Sequence, residues 1–208
     1  MSTVPTPPEL PPATATARAA RSARWKLFAI LAVCAAPVLA SYLAYFVIRP
    51  VGRTNYGALI EPQRALSVVR LRAAPDGALA FADLRGRWVL VALDAGDCPP
   101  ACVERLWTMR QVRLTTGRDR DRIERVLLVT GERAPADALL RDYEGMRVAF
   151  IPPAELARLF PAEPATTPLD HLYVVDPRGH LMMRYPAAAD PNRIKKDVSR
   201  LLRAAGAN

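Results

Sequence analysis

An α/β fold, with a mixed sheet flanked by helices and carried behind one transmembrane helix, is the class this 208-residue sequence predicts. Three observations predict it. Leu27 to Ile48 contains no charged residue, and at about 1.5 Å of helical rise per residue such a run covers a hydrocarbon core of about 30 Å. Beyond it, short apolar runs rich in β-branched residues alternate with segments of helical periodicity, the pattern of a partly parallel sheet covered on both faces. The chain then closes on two strand-like runs joined by Asp176-Pro177-Arg178-Gly179, a hairpin that makes the sheet mixed.

Residues 1–26 read as a disordered cytoplasmic tail. Pro5, Pro7, Pro8, Pro11 and Pro12 stand among Thr and Ala, a composition that cannot bury a core. Residues 27–48 are the span, with Trp25 and Tyr42/Tyr45 placed for the two interfaces and Pro37 as a tolerated kink. Arg49-Pro50 is a poor cleavage site, so the segment is a retained anchor rather than a signal peptide. Arg18, Arg21, Arg24 and Lys26 precede the span with only Glu9 against them, while Arg49 and Arg53 follow it. This asymmetry places the N-terminus in the cytoplasm and the C-terminal domain in the periplasm of a bacterial inner membrane. Cys34 lies inside the span as a lone thiol facing lipid or another helix.

Residues 49–65 read as a linker and 66–208 as one domain. Leu66–Leu71 and Ala78–Phe81 are β-prone runs around the turn Pro75-Asp76-Gly77. Trp88–Leu93 is a continuous apolar run, the profile of a strand buried on both faces. The loop Asp94-Ala-Gly-Asp-Cys-Pro-Pro100 leads into a helix over 101–114, with Val103, Leu106, Trp107 and Leu114 on its apolar face and Arg110 interrupting it. Strands follow at Arg125–Val129 and Arg147–Ile151, and helices at 136–143 and at 153–159, the latter opened by proline. Leu172–Val175 and Leu181–Tyr185 form the closing hairpin, and 190–204 an amphipathic helix.

The formal net charge is +9, which raises nucleic acid as a partner. Five of the 29 basic residues lie before Pro50 and serve topology. The rest are interspersed with acids, as in Arg118-Asp-Arg-Asp-Arg-Ile-Glu-Arg125, and no aromatics interleave to stack on bases. This is a solvated, mixed-sign surface, and no nucleic-acid partner is expected.

Cys98-Pro99-Pro100-Ala101-Cys102 carries the chemistry. The pair follows a buried strand and opens a helix, where two thiols at i and i+4 can share one face. A helix N-terminus favours thiolate. Two such thiolates can chelate Cu(I) or close into a disulfide. A permanent structural disulfide is the alternative, though so small a loop stabilises little.

The order of elements is similar to that of a thioredoxin-like domain with an N-terminal hairpin. Asp83-Leu-Arg-Gly-Arg-Trp-Val-Leu-Val91 followed by Cys98-x-x-x-Cys102 resembles the SCO/SenC family, membrane-anchored thioredoxin-like proteins that help assemble the dinuclear copper site of cytochrome c oxidase. The resemblance spans roughly residues 66 to 205, with 83–102 its specific part. It implies Cys98 and Cys102 as Cu(I) ligands, with a distant histidine as the third. The family's histidine position, eight before the hairpin Asp-Pro, falls on Pro168; His171 stands five before, and a gap in the 161–167 loop would bring it into register. Val103 replaces the family's proline after the second cysteine, and Gly131-Glu-Arg-Ala-Pro135 replaces its acidic segment. Thr167-Pro168 matches instead the cis-proline of thioredoxin-like redox proteins. Met182 and Met183 read as packing rather than soft ligands.

Three functions are carried forward. One is a factor handling Cu(I) or thiol redox state for cytochrome c oxidase, partnered by its copper-site subunit or another thiol or copper protein. The second is a periplasmic thiol–disulfide oxidoreductase, with Cys98 attacking and Cys102 resolving. The third is a degenerate module that only binds a partner.

Overall fold

The computed structural model describes residues 13–43, 55–74 and 77–205, the first helix up to residue 24 by its backbone alone. The chain divides into two compact units, Met1–Arg53 and Thr54–Asn208. In the first, α1 runs from Ala13 to Leu43 with Pro37 inside it. Its Trp25–Leu43 stretch of 19 residues is long and apolar enough to cross a membrane, none of it is buried, and it is the only such segment among the described residues. Residues 13–26 are helical where a disordered tail was expected. Alanine fills six of those positions and is the best helix former. The proline-rich start and the far end of the expected span, 44–48, lie outside the described residues, as do Arg49 and Arg53.

The second unit is built on one eight-stranded sheet. Its strands are β1 (Ala58–Ala65), β2 (Arg70–Ala74), β3 (Ala78–Ala80), β4 (Trp88–Asp94), β5 (Ile123–Val129), β6 (Arg147–Phe150), β7 (Leu172–Val175) and β8 (His180–Arg184), in the spatial order β1-β8-β7-β4-β5-β6-β2-β3. β4, β5 and β6 are parallel, and β7 and β2 join them antiparallel. The helices are α2 (Pro100–Thr115), α3 (Asp137–Arg141), α4 (Pro153–Leu159) and α5 (Pro191–Ala205). The mixed, helix-flanked sheet and the closing hairpin are as the sequence predicts.

Side-chain alternation along β4 divides the core between the two faces. Val89, Val91 and Leu93 pack with Leu156, Leu159 and Phe160 from the α4 side. Leu90 and Ala92 pack under Leu106, Met109 and Val112 of α2 and Ile194, Val198 and Leu202 of α5. Met183 is fully buried in this second face, a packing role, and Met182 packs against it.

Three expectations are corrected. The linker holds a strand: β1 lies at the sheet edge against β8, and only Ile60 of its residues is buried. Glu61-Pro62-Gln63-Arg64 reads as a linker because an edge strand has neither a buried face nor a need for every N–H. Leu66 and Val69 belong to a buried turn, so β2 starts at Arg70; the tip of the following hairpin, Pro75-Asp76, lies outside the described residues. The buried face of α2 is Cys102, Leu106, Met109 and Val112, while Trp107 and Leu114 are about half exposed. Helical spacing selects that stripe, whereas side-chain size points to its neighbour.

Candidate functional site

β4 is buried along its whole length and ends on Asp94. Ligand sites of open α/β sheets gather beyond the carboxyl ends of parallel strands, and this end carries the loop to the cysteines. Two glycines let it fold tightly. A Cβ at Gly96 (φ +121°) would stand 2.5 Å from the Arg133 carbonyl oxygen, and one at Gly131 would stand 2.1 Å from that of Ala95. The loops after β4 and β5 therefore press against each other. The buried Asp94 carboxylate turns back into its own loop and accepts hydrogen bonds from the N–H groups of Gly96 (2.7 Å) and Cys98 (2.9 Å). Cys98 has φ +43°, a left-handed conformation that costs a non-glycine residue about 1–2 kcal/mol. The Asp94 bond acts on that same residue and offsets the cost.

Cys98 and Cys102 are joined by a disulfide, with their Cα atoms 5.0 Å apart. The expected shared helical face is corrected here. Cys98 stands two residues ahead of α2, Pro99 is the N-cap, and only Cys102 lies on the helix. The N–H groups of Cys102 and Val103 donate to the Pro99 carbonyl. Pro99 and Pro100 have no N–H, so the helix start offers a thiolate its dipole but few direct donors. Cys98 is 6% exposed and Cys102 1%, which makes Cys98 the accessible sulfur. Ligand atoms of Asp94, Cys98 and Cys102 all lie within 4.8 Å of one another. Asp94 is the site residue that sequence reasoning missed; its signal was an acid closing an otherwise apolar strand four residues before Cys98.

Two surfaces flank the pair. Cys98, Pro100, Val103, Trp107 and Tyr143 line an open apolar cleft of about 570 Å³. On the neighbouring side of α2, Arg105 and Thr108 face Asp170 and residues 186–189 across a cavity of about 280 Å³. Burial holds the Arg105 guanidinium below its ordinary range, and the charges of Asp94, Asp170 and Glu104 oppose that shift.

His171 stands just before β7, whose first residue, Leu172, pairs with Ala92 of β4. It is fully buried and is not part of the Asp94–Cys98–Cys102 group. Its Nδ1 donates to the Tyr185 carbonyl (2.9 Å), and its Nε2 is 2.7 Å from the Thr166 hydroxyl. Both ring nitrogens are thus engaged. The 161–167 loop, where the sequence comparison needs a gap, is fastened: Arg184 donates to the Pro161 carbonyl and pairs with Glu163, and the Tyr173 hydroxyl donates to the same carbonyl. Thr167–Pro168 is not cis. Pro168 opens a short 3₁₀ turn that Asp170 closes by accepting from the Thr167 N–H and hydroxyl, both at 2.8 Å.

Comparison with known proteins agrees with this fold. Residues 88–205, more than half of the chain, match the family of transmembrane-like, thioredoxin-like C-terminal domains. No curated protein is significantly similar in sequence. Among solved structures, apo Sco1 of Thermus thermophilus is similar over 74% of this chain and 99% of its own, with 17% identity and a TM-score of 0.53. Copper-bound ScoI of Arabidopsis thaliana is similar over 72% and 99%, with 14% identity and a TM-score of 0.52. BsSco, a member of the Sco family of cytochrome c oxidase assembly proteins in which a disulfide switch is identified, is similar over 69% and 97%, with 10% identity and a TM-score of 0.50. At these identities the likeness establishes a thioredoxin-like fold, the one these Sco structures share.

Proposed function

We propose that this chain, which belongs to the transmembrane-like, thioredoxin-like C-terminal domain family, is a membrane-tethered thiol–disulfide factor that also carries Cu(I) for the assembly of cytochrome c oxidase. The observation that carries the proposal is the Cys98–Cys102 disulfide at the start of α2, with the more exposed sulfur beside an open apolar cleft. In the exchange, a partner thiolate attacks the Cys98 sulfur. The Cys98–Cys102 bond breaks, and Cys102 leaves as a thiolate that takes up a proton. A second partner thiolate then attacks the mixed disulfide, forms the partner's disulfide and releases Cys98. The chain ends as a dithiol and the partner is oxidised. The proton comes from water, and Asp94, close to both sulfurs, is placed to relay it.

The dithiol is the state that takes Cu(I), because thiolates select soft metals. Copper-bound ScoI and the disulfide switch of BsSco are precedents on this fold for each half of the proposal. His171 holds the turn before β7 against β8, and the ligand pair is Cys98 and Cys102. The helix Trp25–Leu43 tethers the domain, with the domain on the periplasmic side of a bacterial inner membrane.

Trapping tests the exchange. Cys102→Ser should accumulate a mixed disulfide at Cys98 when treated with a small symmetrical disulfide, which gives up half of itself as free thiol, and Cys98→Ser should not. Cu(I) titration of the reduced chain tests the cargo. One equivalent should bind in the wild type and none in either serine variant. No stoichiometric binding with trapping intact would leave an oxidoreductase, and failure of both would leave a partner-binding module. The oxidoreductase reading is favoured in its own right by Asp94 standing beside the sulfurs where a soft third ligand would be needed.

A further inference from the structure

A second cluster of charge lies at the other end of the same strands. Arg125 is the third residue of β5, in the middle of the sheet, and is 4% exposed. It lies four residues before Val129, which pairs with Asp94, about 13 Å along the strand from the cysteine end. Its Nη2 donates to the Glu144 carbonyl at 2.6 Å. Its Nε and Nη1 are buried and have no partner. Arg110, Arg113 and Arg141 line the same cavity of about 260 Å³, together with Leu114, Asp142 and Glu144.

Four guanidiniums thus share one small space with two carboxylates. Burial lowers the Arg125 pKa first, and the charges of Arg113 and Arg110 lower it further, against a smaller opposing effect of Glu124. Arg113 is held by the Ile123 carbonyl and Asp121. Arg110 and Arg141 are exposed and form no ion pair among the described residues. A buried cation with open donors, crowded by like charge, is unstable unless an anion completes it. With Asp121 on Arg113 and Asp142 and Glu144 in the lining, four positive charges face three negative and leave an excess of one. A water takes about 30 Å³, so the cavity accommodates an oxyanion of five heavy atoms with several waters. Guanidinium forks match the spacing of phosphate oxygens.

We propose that Arg110, Arg113, Arg125 and Arg141 form a binding site for a phosphate-type oxyanion, separate from the cysteine pair. Its source is either free phosphate or the phosphate of a membrane headgroup, since the chemistry is the same.

The test uses the full chain in detergent. Inorganic phosphate is titrated against chloride at matched ionic strength, with the unfolding midpoint and calorimetric binding as readouts. The midpoint should rise in equal steps for each tenfold increase in phosphate above the dissociation constant. The double variant Arg110→Ala/Arg141→Ala changes exposed residues only, so it should fold normally and bind at least tenfold more weakly. Arg125→Met should abolish the response and raise the midpoint in chloride, because it removes the buried charge. Vesicles containing phosphatidylglycerol, with phosphate as competitor, identify the source: capture that phosphate displaces and the double variant lacks assigns the site to a headgroup. A midpoint indifferent to phosphate together with no such capture, or a double variant that responds like the wild type, overturns the proposal.

Discussion

Replacing His171 separates a metal ligand from a positioning residue. In the folded chain His171 is fully buried, and its Nδ1–H satisfies the buried Tyr185 carbonyl. His171→Ala leaves that carbonyl unpaired, which costs about 1–3 kcal/mol. Removing the ring also leaves a cavity of roughly the size a Leu→Ala change makes, and such changes cost about 2–5 kcal/mol. Because the two effects share the same space, about 3–5 kcal/mol is expected in all, out of the 5–15 kcal/mol of an ordinary domain. His171→Asn keeps an N–H donor close to the Nδ1 position and should recover about 1–2 kcal/mol. Urea unfolding of the three proteins measures this. The paired measurement is Cu(I) affinity of the reduced chain against a chromophoric chelator. With Cys98 and Cys102 as the ligand pair, affinity in His171→Asn should stay within about threefold of wild type. A loss of tenfold or more, about 1.4 kcal/mol, with unfolding unchanged, would refute the reasoning and make His171 a ligand.

Other outcomes follow from single features. The Asp170 carboxyl is held below the usual carboxylate range, first by the Thr167 N–H and then by the Thr167 hydroxyl, against an opposing effect of burial. A depressed folded pKa contributes stability that is complete above the unfolded value and is lost as pH falls through the folded one. The unfolding midpoint of the wild type should therefore fall more steeply below about pH 4 than that of Asp170→Asn. Gly131→Ala sets a Cβ 2.1 Å from the Ala95 carbonyl oxygen; it should cost about 1–3 kcal/mol and shift the glutathione redox midpoint of Cys98–Cys102, since the displaced loop carries Asp94. A reporter active only outside the cytoplasm should work when fused after Asn208, and activity of a cytoplasm-only reporter in its place would reverse the proposed topology.

The parts of the fold that were legible in the sequence are those where one physical pattern dominates. Trp88–Leu93 had to be a strand buried on both faces, because nothing in it tolerates water, and Pro153–Leu159 had a proline to mark its start. Cys98 and Cys102 stood out by type and place. Patterns that compete locally were not legible. β1 is polar because it is an edge, so it looks like linker. α2 presents two apolar stripes, and the one with the larger side chain, Trp107, faces outward beside the cysteines. His171 was found by type, but its role depends on Tyr185 and Thr166, contacts that sequence spacing does not encode.

The charges around the disulfide link its two proposed states. In the oxidised site Asp94 contributes −1 and Arg105, whose charge acts on it, contributes +1, so the surroundings of the sulfurs are close to neutral. A dithiol with both protons in place keeps that balance. Cu(I) held by two thiolates brings a net −1 into the same space, next to a carboxylate that already serves the Gly96 and Cys98 N–H groups. Loading therefore adds a negative charge that Arg105 alone does not cancel, and it releases two protons. Copper affinity should rise steeply with pH, approaching a hundredfold per unit while free thiols remain protonated. Asp94→Asn removes the opposing charge but keeps an acceptor for the loop, so it should bind Cu(I) more tightly and exchange disulfides more slowly. A variant that binds more weakly instead would mean that Asp94 is itself a copper ligand, and the charge argument would fail.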